Sequence, residues 1–583
     1  MQDNRNLIIA FLASLVILLV FDVFVMKPQR ETAQQQAAVE QAETPTVKES
    51  DDGAVAPTLG KSGTVPEGTV SGSSRMTRKD AIDAVARVPL DSPKLKGSIS
   101  LAGGRIDDLT LTDYRVSLNK DAPYVTLLSP AGAPGAYFAD FGWVGQPNSG
   151  INLPTSRTVW TPEGDGIAPG KPLTLSWDNG QGLIFTRTIE LDENYMFTVT
   201  QGVRNTSDNP VTLAPYSLVS RHGTPETSKM FILHEGAIAI LGEELKEIDY
   251  SDLRDDKVIA AEATGGWVGF TDKYWLTSLI PNQGEHYNAR FSYRQKDGED
   301  RYQVDFLLDQ RRIAPGETVS VSSRVFAGAK TVSLLDQYQT RYEIARFDQG
   351  VDWGWFYWIT KPIFYALHYM HEWFGNFGLA ILGLTVILKL LFFPLANKSY
   401  VAMSRMKLMQ PKMQELKERF GDDKVRFQQE MMELYKKEKI NPLAGCLPIL
   451  VQIPVFFALY KVLFVTIEMR HAPFYGWVRD LSAPDSLTPV NLFGLIPWDP
   501  PSMIAIGVWP ILMGLTMYIQ QKLNPAPQDP VQAKVMAFLP LVFTVILAQF
   551  AVGLVIYWTW NNVLSIAQQW VIMKRMGVPV ETK

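Results

Sequence analysis

Residues 379–400 read "LAILGLTVILKLLFFPLANKSY", and the lysine inside this run, Lys389, decides how the whole chain is read. An apolar stretch of this length matches the hydrocarbon core of a bilayer. A charge near the centre of a spanning helix costs about 2.5–3.5 kcal/mol on insertion scales, so water or a polar neighbour must offset it. Lys389 sits five residues before Pro394, so its long stem could snorkel to the cytoplasmic interface. Thr385, one turn earlier on the same face, instead suggests a polar stripe. Later apolar segments repeat the pattern, with Gln452 and Lys461 in one and Tyr557, Trp558, Asn561, Asn562 and Gln568 in another. Polar groups from several helices are buried at lowest cost when they converge on one wet cavity. Scattered helix–helix hydrogen bonds are the alternative.

Four further segments approach spanning length, so the expected spans are 377–395, 447–467, 502–522, 535–550 and 552–573. The loop 396–445 carries eleven Lys and Arg against two in 470–501, which places the first loop in the cytoplasm and fixes the rest by alternation. Both termini are then cytoplasmic and the polar middle of the chain lies on the opposite side of the membrane. Within the cytoplasmic loop Met406, Met409, Met413, Leu416 and Phe420 are spaced 3, 4, 3, 4, and Phe427, Met431 and Leu434 resume the spacing after "GDD". Gly421 suits a C-cap and Asp422 or Asp423 an N-cap, so residues 404–438 read as a helical hairpin. Its methionines Met406, Met409, Met413 and Met431 either present an adaptable surface to apolar segments or zip the two helices together.

The 583 residues are 46% hydrophobic and 11% aromatic, high for a soluble chain, and the apolar residues concentrate in 7–26 and after Trp353. A net charge of −5 argues against nucleic-acid specificity. The single cysteine, Cys446, excludes an intramolecular disulfide and a cysteine-based metal site. Residues 1–27 read as an uncleaved transmembrane signal anchor, and 28–90, rich in Gln, Ala, Thr, Pro, Gly and Ser, as a disordered periplasmic tether. From 91 to 345 short alternating runs such as "GLIFTRTIELDENYMFTVTQGVRN" recur between turn signals, the pattern of a large antiparallel β-sandwich. His222, His234 and His286 are scattered there without ligand spacing, and no general acid and base pair emerges. Residues 346–375, dense in tryptophan, read as a helix lying on the bilayer surface. Residues 376–583 form the helical core.

Residues 353–577 carry, in order, "ERFGDDK", "NPLAGCLPILVQIPVFFALY", "APFYGWVRDLS", "ILMGLTMYIQQKLNP", "KVMAFLPLVFT" and "GLVIYW". On these strings the chain closely resembles the YidC membrane protein insertases of Gram-negative bacteria, a family shared with the mitochondrial and chloroplast inner-membrane insertases. The resemblance implies an α+β membrane protein of the cell inner membrane. It would have a polytopic core of five transmembrane helices, an N-terminal signal-anchor helix and a periplasmic antiparallel β-supersandwich similar to carbohydrate-binding and mutarotase-like proteins. It further implies a hydrophilic groove holding one basic residue, here Lys389 where much of the family has Arg. Thr385, Gln452, Tyr557, Trp558 and Asn562 are the expected groove residues beside it. Implied partners are nascent membrane proteins, the phospholipid bilayer, the Sec translocon with its accessory subunits, the ribosome and the signal recognition particle receptor. No cofactor, metal or covalent chemistry is expected. A secondary transporter would need membrane acids and an inverted repeat, which residues 377–573 lack. A membrane-tethered periplasmic carbohydrate-binding protein would have no use for the hairpin.

Overall fold

A computed structural model describes residues 76–578, apart from 147–148, 229–231, 421–422, 439–446, 497, 499, 502–503 and 526–529, together with two short strands at 48–49 and 55–56. The expected signal anchor, most of the tether, Cys446 and the Gly421–Asp422 caps lie outside the described residues. The described end of the expected tether is not disordered: Thr77 caps a helix at Arg78–Asp83, and Arg87–Asp91 pairs with Leu95–Ser100 and buries Val88 and Leu90, so the β-domain begins before residue 91.

The expected β-sandwich is present. Two antiparallel sheets, nine- and ten-stranded among the described residues, face one another. Strand Leu183–Leu191 shows why they pair: Leu183, Phe185, Arg187, Ile189 and Leu191 point inward while the residues between them face out. Its neighbour Met196–Asn205 holds it in register, with Ile189 opposite Val199. Phe185, Phe197 and Phe270 from one sheet meet Phe291 and Phe306 from the other in a single apolar core. The one charge among the inward residues of Leu183–Leu191, Arg187, donates from one terminal nitrogen to the carbonyls of Gly103 and Gly104 at 2.8 and 2.7 Å and lies 4.8 Å from the Trp160 ring centre.

That core does not stop at the domain edge. It continues through helix α1 (Val332–Arg341), Phe347, Val351 and Trp353 into the helical region. There the chain forms α2 (Tyr357–Phe374), α3 (Phe377–Leu391), α4 (Phe393–Leu408), α5 (Gln410–Phe420), α6 (Lys424–Lys437), α7 (Leu447–Val465), α8 (Val508–Leu523), α9 (Pro530–Leu547) and α10 (Val552–Arg575). α2 buries Ile363, Phe364 and Leu367 and leaves Trp358 and Trp373 71% and 85% exposed, an amphipathic arrangement with aromatic side chains outward.

Among the described residues no single helix is long and apolar enough to cross a membrane, whereas the α3–α4 pair passes that test together with a 69° bend between its halves. The bend departs from the straight segment expected over 377–395. Pro394 in the first turn of α4 has no N–H to continue the α3 hydrogen-bond ladder, and Phe392 closes α3 by donating to Leu388. α8 likewise starts at Val508 rather than 502, with Gly507 as its N-cap, and α9 runs 530–547.

Candidate functional site: a polar groove among α3, α7 and α10

The bend delivers Lys389 to the last turn of α3, where unsatisfied carbonyls and the negative end of the helix dipole favour a cation. Its Nζ does not run outward as snorkelling would require. It donates to Ser565 Oγ of α10 at 2.6 Å, and that hydroxyl donates in turn to Asn561 O at 2.8 Å. Lys389 also borders a cavity of about 30 Å³, room for one or two waters, walled by Thr385, Phe392, Tyr400, Gln452, Tyr557 and Asn561. The cost of burying the lysine is therefore met locally by a helix terminus, a hydroxyl and space for water.

The expected groove residues divide. Gln452 Nε2 donates to the Tyr557 hydroxyl across α7 and α10 on the cavity wall. Thr385 is on the wall as well, but its hydroxyl is engaged with Ile381 O one turn back, at 2.7 Å. Asn562 faces away from Lys389, donating to Thr516 Oγ1 of α8 at 3.1 Å, and Asn561 takes its place on the wall. Trp558 packs edge-on against Phe456 with ring centres 4.7 Å apart. Two turns below the Asn562 bond, Gln569 donates to Asn524 at 3.1 Å, so α8 and α10 share the interhelical ladder that was the alternative to a single cavity. Both arrangements coexist on different faces of α10.

Ser565 and Tyr400 were not singled out from the sequence. Ser565 was detectable, because Tyr557, Asn561 and Ser565 lie at i, i+4 and i+8 on one face of a helix. Tyr400 was not, since its position depends on the α3–α4 bend.

In the hairpin, Met409, Met413 and Met431 are buried against one another, with Met406, Leu416, Phe427 and Leu434 around them. The methionines zip the two helices in this structure, and the outward apolar side chains are Leu408, Val425 and Met432. Asp423 caps α6 by accepting the Arg426 N–H at 3.1 Å.

The chain matches the family model described as YidC periplasmic domain over residues 87–366 and that described as 60Kd inner membrane protein over 369–578. It is 50% identical to the membrane protein insertase YidC of Methylobacterium sp. (strain 4-46) over 610 residues, covering 100% of this chain and 96% of the relative. It is also 50% identical to the membrane protein insertase YidC of Methylorubrum extorquens (strain PA1) over 603 residues, with the same coverage. A crystal structure of an active YidC insertase with its first transmembrane domain resolved aligns over 94% of this chain and 98% of that one, at 15% identity and a TM-score of 0.36. With half of its residues shared along their whole length by insertases of this name, the chain belongs to the YidC membrane protein insertase family.

Proposed function

We propose that this protein integrates nascent inner-membrane proteins through the groove at Lys389, alone or with the Sec translocon, and performs no covalent chemistry. The observation that carries the reading is the Lys389–Ser565 contact: a charge held inside an apolar helical region beside a water-sized cavity. A polar flank crossing there meets hydroxyls, an amide and an ammonium in place of hydrocarbon, which shortens the dry distance and lowers the barrier. Burial of the substrate's apolar segment in lipid, about 25 cal/mol per Å², supplies the driving force.

In this reading the helices α3, α7, α8, α9 and α10 span the inner membrane with the signal anchor at 1–27. α2 lies on the periplasmic surface, the β-domain is periplasmic, and both termini are cytoplasmic. The basic hairpin 404–438 meets ribosome, targeting receptor and nascent chain in turn. Insertion by Lys389→Arg, Lys389→Ala, Lys389→Glu and Lys389→Leu variants at matched expression, with acidic-tailed and neutral-tailed substrates, tests it. Arginine keeps the charge and should retain function. Alanine and glutamate should fail, most severely with the acidic tail. Full activity of Lys389→Leu on both substrates removes the charge from the mechanism.

A further inference from the structure

A second cavity, about 1500 Å³, opens where the β-domain meets the outward ends of α2 and α7. It exceeds the roughly 300–1,000 Å³ of a small-molecule site and suits a stretch of polypeptide. One side is aromatic, formed by Trp353, Trp355, Phe356, Phe457 and Tyr460. The other carries Glu226, Glu235, Glu247, Asp249, Asp252 and Asp352 beside Arg254, Lys461 and His234, the last 3.1 Å from Asp249. Lys461 is already paired with Asp352 at 2.8 Å. Carboxylates therefore outnumber basic side chains along the described wall.

One further observation points to an occupant. The cavity is continuous in direction with the groove. Gln452, Phe456 and Tyr460 lie at i, i+4 and i+8 on α7, so the Tyr460 end is about 12 Å further along the helix from the groove, on the β-domain side.

We propose that this cleft receives the translocated end of an inserting polypeptide, its carboxylates taking the N-terminal ammonium or a lysine and its aromatic side an adjacent apolar residue. The proposal rests on the insertion reading above and adds a site on the far side of the barrier. A crossing N-terminus that has been deformylated carries an α-ammonium, so the acidic wall suits a group that such substrates share. Holding the tail here disfavours its return through the groove.

The test uses the full chain in vesicles of phosphatidylethanolamine and phosphatidylglycerol, with a photo-reactive amino acid at Trp355 for the cleft or at Val451 for the groove. Single-span substrates differ only in a lysine-bearing or glutamate-bearing translocated tail. Capture at Trp355 per inserted substrate is expected to favour the lysine tail roughly three- to five-fold, and less at high salt. Asp249→Asn with Asp252→Asn, both at exposed positions, should clearly reduce the preference while capture at Val451 is unchanged. Equal capture of the two tails at Trp355, or an adduct with lipid in place of polypeptide, overturns the proposal and leaves insertion standing if Val451 still captures. Loss of capture at both positions overturns the insertion reading with it.

Discussion

The Lys461 ammonium of α7 lies 2.8 Å from the Asp352 carboxylate and also donates to the Ile232 carbonyl, tying a helix of the core to the β-domain and to the segment that leaves it. Gly354 makes room for this: its φ is +69°, and a Cβ there would sit 3.2 Å from the lysine stem. Both partners are largely buried, and removing one of a buried pair costs about 3–5 kcal/mol because the other charge is stranded. Lys461→Met should therefore loosen the β-domain and speed proteolysis within 346–356. Lys461→Met combined with Asp352→Leu should recover part of the loss. Unchanged proteolysis in the single variant would mean that the pair holds nothing.

Ser565 is the one hydrogen-bond partner of Lys389 among the described residues. Ser565→Ala leaves a water-sized space beside the ammonium, so insertion should fall only a few-fold, well short of the loss in Lys389→Ala. Ser565→Val fills that space with methyl groups, excludes water and should approach the alanine variant. Initial insertion rates in reconstituted vesicles separate the three, and an order with Ser565→Ala worst would contradict the role of water.

The groove was legible in part because helical spacing is enough to align polar residues on one face. Lys389, Gln452 and Tyr557 could be read that way, as could the sandwich from its alternating strands and the hairpin from its 3, 4 spacing. Asn562 was misplaced by one position: at about 100° per residue, choosing it over Asn561 turns the side chain from the groove to α8. The bend at Phe392 was hidden because Pro394 fits equally well at the end of one helix or the start of another. Docking of the β-domain was beyond reach, since it joins groups such as Glu468 and Val332, 136 residues apart.

That contact should respond to pH. Glu468 accepts the Val332 N–H at 2.9 Å, its other carboxylate oxygen is buried without a partner, and burial pushes the carboxyl up to about 7. A folded-state pKa above the ordinary carboxylate value means that the folded protein binds the proton more tightly than the unfolded chain. Docking is therefore strongest below the ordinary value, weakens as pH rises towards 7, and levels off above it. Hydrogen exchange of the Val332 amide should be faster at pH 8 than at pH 5.5 after correction for intrinsic rates. Glu468→Gln should remove the difference, and a difference that survives assigns the effect elsewhere.

Helices α8 and α9 pack closely at Gly514, where a Cβ would come 2.0 Å from Thr544 Oγ1. The Thr544 hydroxyl is engaged with Pro540 O at 2.8 Å and cannot simply turn aside. Gly514→Ala should cost about 1–3 kcal/mol by overpacking. Thr544→Ala in the same chain removes the clashing atom and should restore stability. The fraction of detergent-solubilised protein that survives heating is the readout, and failure of the second substitution to rescue would place the strain elsewhere.

The hairpin separates two roles that the sequence left together. Met413 is buried between α5 and α6, whereas Met432 is 53% exposed on the outer face. Met413→Ala should cost about 2 kcal/mol or more of packing, raising hydrogen exchange throughout α5 and α6, and Asp423→Ala should fray the start of α6 by about 1 kcal/mol. Met432→Glu should leave exchange unchanged, because it removes no internal contact. If the hairpin greets nascent segments through its outward apolar side chains, Met432→Glu should nonetheless lower early photo-capture of short nascent chains. If instead capture falls only in Met413→Ala, the hairpin acts through its rigidity, and its outer face is not the surface that substrates meet.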